Sequence, residues 1–223
     1  WVTSNFASLS SVIELPALSI KDSVILVEID DDEYFLIEHR NNYYAHNVSI
    51  DNLRLSIYEA SDEWLDLTKI FFDYIFTDST DFINDVIVPP LDFNYDIGLT
   101  GSFSMPWYQS GLLIWHIDES VIEQGVDDYS INEEKEFQGV DLEESDGAQD
   151  IGYPSNFLFA DPSIGYFGDM WFNGNLEYES IHGKGNPEFG PDTYPNTKSN
   201  DGASTFLNLA NISAPGDTMS FMV

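Results

Sequence analysis

Residues 111–118 read GLLIWHID. The run is apolar at nearly every position, so it predicts a strand buried on both faces rather than one with a wet side. Working outward, residues 24–29 (VILVEI) and 34–37 (YFLI) are two more short runs of β-branched and aromatic residues. Asp30, Asp31 and Asp32 lie between them as a polar turn, and two or three strands are expected over residues 12–40. Downstream, residues 119–138 are polar with room for a short helix, and residues 139–144 (GVDLEE) resume strand character. Residues 145–200 are dominated by Gly, Asp, Asn, Pro and aromatics. Such a stretch rarely holds itself together by regular ladders, and needs metal ions or close packing on a sheet. Residues 206–212 and 218–223 predict two closing strands, with residues 211–216 (NISAPG) as the turn between them.

Residues 43–106 follow a different pattern. In 61–76 (SDEWLDLTKIFFDYIF), Trp64, Leu67, Phe71 and Ile75 recur at helical spacing, with Ser61 or Asp62 as a cap. Pro89 and Pro90 end whatever precedes them. This region reads as an insertion in a β framework. Its aromatics, including Trp64, Phe71 and Phe72, together with Trp107 and Tyr108 just beyond it, either fill a second small core or form an interface for self-association. The expected fold is mainly β: one β-sandwich-like domain over residues 1–223, with a small helical insertion and long Gly/Asp/Asn-rich, calcium-ordered loops.

Charge narrows the function classes. Forty Asp and Glu face seven Lys and Arg, a net charge of -33. A phosphate backbone needs a basic footprint, so nucleic acid is a poor partner, and an anionic membrane surface is equally poor. So many carboxylates repel one another unless bound calcium, a salty environment or a basic partner compensates. There is no cysteine, hence no disulfide and no thiolate metal site. No apolar run reaches the roughly 20 residues that cross a bilayer, and no signal peptide is visible. The sequence opens at Trp1 without Met and reads as a piece of a longer precursor.

Zinc hydrolysis of the helical kind needs two His one turn apart with Glu beside the first. His39, His46, His116 and His182 do not meet that spacing. His116 is expected to be a buried strand histidine bonded to a carboxylate. There is no G-x-S-x-G elbow and no Gly-rich phosphate loop, and no catalytic residue is assigned. Paired carboxylates for glycoside hydrolysis single out no pair among forty acids. Calcium is the better fit. Asp141, Glu143, Glu144, Asp146 and Asp150 fall within ten residues, and Gly147 allows a tight turn among them. A second group holds Asp161, Asp169, Asn173 and Asn175 interleaved with glycines. Calcium takes six to eight oxygens, often from irregular loops, although neither group matches the EF-hand spacing. The competing reading of each is a solvated acidic loop.

Several phrases in order resemble immune inhibitor A-like secreted zinc metallopeptidases. Residues 33–40 (EYFLIEHR) resemble their E-Y-F-L-x-E-N-R segment, and GLLIWHID their G-L-L-I-W-H-x-D strand. Residues 140–147 (VDLEESDG) resemble V-x-L-x-E-A-D-G. Gly168 and Asp169 with Trp171 and Phe172, the Pro195-Asn196-Thr197 step with Asp201-Gly202, and the closing strands match in the same order. His39 stands where the family often has Asn, and Ser145 where it often has Ala. The resemblance implies a region that follows the catalytic domain, with zinc held only in an upstream domain. It also implies secretion, calcium in the acidic phrases, and no activity of this chain alone. Two functions follow as alternatives. One is the β-domain supporting an upstream peptidase domain or other subunits. The other is a calcium-stabilised extracellular binding or surface module, including a filament subunit, without enzymatic activity. A carbohydrate-binding β-sandwich is a third reading.

Overall fold

The computed structural model describes residues 3–6, 11–18, 20–41, 110–153, 165 and 167–223. Among these, seven strands form two sheets, and helices are few. The larger sheet has five strands: β1 (Thr3–Phe6), β3 (Ser23–Glu28), β4 (Glu33–Asn41), β5 (Ser110–Asp118) and β6 (Val140–Leu142), in the order β1-β3-β4-β5-β6. β1 runs parallel to β3, and the other neighbours are antiparallel. β2 (Val12–Pro16) pairs with β7 (Thr218–Met222) in the smaller sheet.

Local chemistry explains the hairpin between β3 and β4. The Asp30 carboxylate accepts the N–H groups of Asp32 and Glu33, both at 2.9 Å. The side chain thus closes the turn that the Asp triplet predicts. In β3, Ile25 and Val27 point into the core while their neighbours are partly exposed, the period of two that a strand with one wet face requires. β5 is different: Leu112, Leu113 and Ile114 are all fully buried. A short bridge from Leu112 to Trp171 continues the pairing along the edge of β5 that β6 occupies, with both backbone hydrogen bonds made. Gly111 permits this approach, since a Cβ there would lie 2.7 Å from the Met170 Cβ. Gly111→Ala is expected to cost about 1–3 kcal/mol, read by urea denaturation, because the obstructing atom is the root of a side chain and not its flexible end.

The core draws on both sheets. Leu15, Met219 and Phe221 from the small sheet join Phe35, Ile37 and Leu113 from the large one. His39 ties the two together: buried completely, its Nδ1–H donates to the Leu15 carbonyl at 3.1 Å. Nε2 is buried without a hydrogen-bond partner. Burial pushes this imidazole down to about 4, outweighing the Leu15 hydrogen bond and the nearby Asp217 charge. A histidine held neutral in the fold stabilises it above the ordinary value of 6.5, and that contribution is lost as pH falls toward 4. His39→Gln is therefore expected to be most costly at pH 7.5. Its penalty should shrink by roughly 3 kcal/mol by pH 4, measured as the difference between wild-type and variant unfolding curves.

Two helices are capped at their N-termini by side chains. In α1 (Glu119–Gly125) the Asp118 carboxylate accepts the Val121 N–H at 3.1 Å. In α2 (Leu176–His182) the Asn175 carbonyl oxygen accepts the N–H groups of Glu177 and Tyr178, and Gly183 ends the helix in the left-handed region. α2 lies inside the stretch expected to be irregular. Its signals, Asn before an acidic first turn and Gly after the last, are present in the sequence.

One expected strand is corrected. Residues 206–212 do not form a strand, and only Leu209 and Ala210 make bridges, to Phe189 and Met222. Phe206 and Asn211 sit at φ 61° and 55°, which interrupts an extended path at both ends. The expected 43–106 insertion, its 61–76 helix, and Trp64, Phe71, Phe72, Trp107 and Tyr108 lie outside the described residues. Asn41 and Ser110 are opposed across β4 and β5, so the chain leaves the sheet and re-enters it at adjacent positions. No helix among the described residues is long and apolar enough to cross a membrane.

Candidate functional site

The acidic phrase after β6 is divided between two sites by the backbone. As far as Glu144 its side chains alternate sides, as on extended chain, and the turn at 145–147 then brings Asp146 to the Glu144 side. Asp141 and Glu143 face His116 of β5. Glu144 and Asp146 face away and meet Asp169, which comes from the second acidic group. Carboxylate oxygens of these three lie within 4.8 Å of one another, and all three residues are buried.

A polar clamp brings Asp169 there. The Ser145 N–H donates to the Asp169 carbonyl at 2.8 Å. The Ser145 hydroxyl and the Asn175 amide share the carbonyls of Gly168 and Met170, at 2.7–3.0 Å. Asn175 thus caps α2 and pins the 168–170 turn with one side chain. On the other side, the Glu144 carboxylate accepts the N–H groups of Asp150 and Ile151 at 3.1 and 2.8 Å. Gly147 and Gln149 turn this loop through positive φ values of 74° and 50°. Burial pushes Glu144 up to about 7. The hydrogen bonds from Ile151 and Asp150 pull the other way, and the charges of Asp146 and Asp150 add to the rise. Converging buried carboxylates are the oxygen-rich surroundings a hard cation prefers.

Of the residues expected to ligate calcium, the fold groups Glu144, Asp146 and Asp169. Asp150 contributes its backbone N–H to Glu144. Asp141 and Glu143 belong to the neighbouring cleft, and Asp161 lies outside the described residues.

That cleft, of about 420 Å³, has His116, Asp141, Glu143, Gln149 and Asn200 among its inner residues. Lys135, Glu136, Tyr194 and Lys198 are exposed around it. His116 is a buried strand histidine held between carboxylates: Nε2 lies 2.7 Å from Glu33 and Nδ1 3.3 Å from Glu143. Burial alone would lower its pKa, but the bonds to Glu143 and Glu33 and their charges raise it to about 9. With both ring nitrogens so occupied, the imidazole is a charged bridge and has no lone pair to offer a metal or a substrate. Asp141 is pushed up to about 7 by burial and by the Glu143 charge, against the opposing pull of His116 and Lys135. The Glu33 carboxylate also accepts the Asn200 N–H at 2.6 Å, and the Asn200 amide donates to Asp118 at 2.9 Å. These bonds hold the 194–202 segment against the sheet.

Glu33, Gln149, Tyr194 and Asn200 were not singled out by the sequence pattern. Glu33 and Asn200 lie 167 residues apart, and no local spacing links them. Compared with family models, with curated proteins and with solved structures, the chain finds no match.

Proposed function

We propose that this chain is a calcium-ordered, non-catalytic β module of a secreted protein, of the kind that follows the zinc domain in immune inhibitor A-like metallopeptidases. In this reading its two sheets pack as a sandwich, and its role is to support an upstream peptidase domain that would hold the zinc. The observation that carries it is the meeting of Glu144, Asp146 and Asp169 in one buried pocket. Two acidic phrases about 25 residues apart supply one set of oxygen donors, which is how an irregular loop is ordered by a hard cation. A further support is that the phrases of the resemblance are neighbours in space. The 33–40 phrase lies in β4 beside β5, VDLEES continues β6, and Trp171 bridges to Leu112.

The test is calcium titration followed by limited proteolysis with and without chelator. Chelator is expected to expose cleavage sites first within residues 140–200, and calcium to restore protection. Protection of that stretch unchanged by chelator would overturn the calcium reading. The peptidase association is tested separately, by whether the natively purified protein carries one zinc on an upstream chain. The second reading, a calcium-stabilised binding or surface module with no peptidase attached, is favoured if calcium binds and no zinc accompanies the native protein.

A further inference from the structure

The cleft beside the acidic pocket has a lining that selects for one kind of ligand. His116 is already paired between Glu33 and Glu143, and Asp141 is pushed toward its neutral form by burial and the Glu143 charge despite the fields of His116 and Lys135. The Lys135 ammonium also sits 4.9 Å above the Tyr153 ring. The lining mixes both signs, Lys135 and Lys198 against Glu136, Asp141 and Glu143, so a fully charged ligand of either sign meets like charge as well as opposite charge and gains little net attraction. What the cleft does offer is neutral hydrogen-bonding capacity beside an exposed aromatic face. The Gln149 amide oxygen is fixed by the Glu144 N–H at 2.8 Å, whereas its nitrogen reaches Asp141 and Glu143 only at 3.3 and 3.5 Å, so that nitrogen, as it stands, can donate to a better acceptor. The Asn196 oxygen accepts the Lys198 N–H, and its amide nitrogen makes no hydrogen bond to described residues. Tyr194 is 61% exposed at the edge of the cleft.

We propose that this cleft binds a neutral saccharide unit, stacked on Tyr194 and hydrogen-bonded through Gln149 and Asn196, with Asp141 accepting from a sugar hydroxyl. Sugar hydroxyls both donate and accept, which matches amides set beside carboxylates. The apolar face of a pyranose ring matches an exposed phenol ring. The volume, about 420 Å³, suits one or two sugar rings and lies within the range of small-molecule sites. Asn200 plays a positioning part, since its bonds to Glu33 and Asp118 hold the wall that carries Tyr194 and Asn196.

The experiment is saturation-transfer NMR on the folded chain with chitobiose, cellobiose, maltose and lactose. Glycylglycine serves as the zwitterionic control and inorganic phosphate as the anionic one. At least one disaccharide is expected to bind at millimolar concentration, with transfer strongest on one ring face. Tyr194→Ala and Asn196→Ala are each expected to weaken binding at least tenfold while far-UV circular dichroism and melting temperature stay unchanged. Tyr194 is exposed and Asn196 half-buried, and the melting temperature reads directly whether the loss of the Tyr194 contact with Gly147 or of the Asn196 bond to the Lys198 N–H disturbs the fold. Absence of transfer from all four sugars would overturn the proposal. So would transfer that persists in both variants, or binding of glycylglycine or phosphate in place of sugar. The cleft draws on residues 140–200, so the sugars are tested both in 5 mM calcium and in chelator: absence of transfer in both overturns the saccharide proposal, whereas the calcium reading stands or falls on protection from proteolysis.

Discussion

Replacing Trp171 by alanine is expected to lower the unfolding free energy by about 4 kcal/mol, the upper part of the range for removing a large buried aromatic. Trp171 is fully buried, and its ring lies 5.3 and 5.9 Å from those of Phe189 and Tyr178. Its indole N–H donates to the Glu143 carbonyl at 2.6 Å. Alanine would leave both a void and an unsatisfied buried carbonyl, and the second alone costs about 1–3 kcal/mol. Single domains are stable by only about 5–15 kcal/mol, so the variant would lose between about a quarter and four-fifths of its stability. Urea denaturation measures the loss directly. Trp171→Phe should recover much of the packing and none of the hydrogen bond, so it should fall between wild type and alanine. A loss below about 1 kcal/mol for alanine would show that the 168–172 layer does not pack on β5 in solution.

Calcium is expected to have the second large effect. At a free concentration 100 to 1,000 times its dissociation constant, a cation bound only to the folded chain adds about 3–4 kcal/mol, which for a chain of this size raises the melting temperature by roughly 10 °C. The rise should be larger at pH 8 than at pH 5. Burial raises the Glu144 pKa above its ordinary value, so its protonated form supports the metal-free fold below about 4.5, and that support is lost as pH rises through 7. Protons and calcium therefore compete for the same carboxylate. Asp169→Asn should remove most of the calcium response while leaving the Ser145 and Asn175 clamp in place, because that clamp holds backbone carbonyls. Differential scanning calorimetry at the two pH values, with and without 5 mM calcium, separates these outcomes. Equal melting temperatures in calcium and chelator would remove calcium from the account of this loop.

Most strands were legible because their chemistry is local; β1 carries no comparable signal, and residues 206–212 carry strand composition without forming a strand. The β3–β4 hairpin announces itself through two apolar runs around three aspartates, and β5 through an apolar run with no polar side. The candidate site was legible only in part. The acidic residues were found, but counting them as one cluster overlooked the alternation that sends Glu143 toward His116 and Glu144 toward Asp169. That division could have been read from the strand period. The choice of Asp169 as third member could not, since it depends on Ser145 and Asn175 folding a distant turn onto the loop. Helix α2 was overlooked for a different reason. Its neighbours are rich in Gly, Asn and Pro, and composition over a long window hid a cap that is clear over nine residues, from Asn175 to Gly183.

The pairing of β2 with β7 also governs when this fold can be completed. Leu15 and Met219 are register partners about 200 residues apart, and Met219 is fully buried in the core. β7 must be synthesised before β2 has a mate. Until then Leu15, Ile13 and the inner face of the large sheet lack the side chains that cover them. Closing so long a loop costs on the order of 5 kcal/mol of chain entropy before any contact returns it. Folding should accordingly be slow, and chains truncated before residue 218 should depend on holding chaperones to stay soluble.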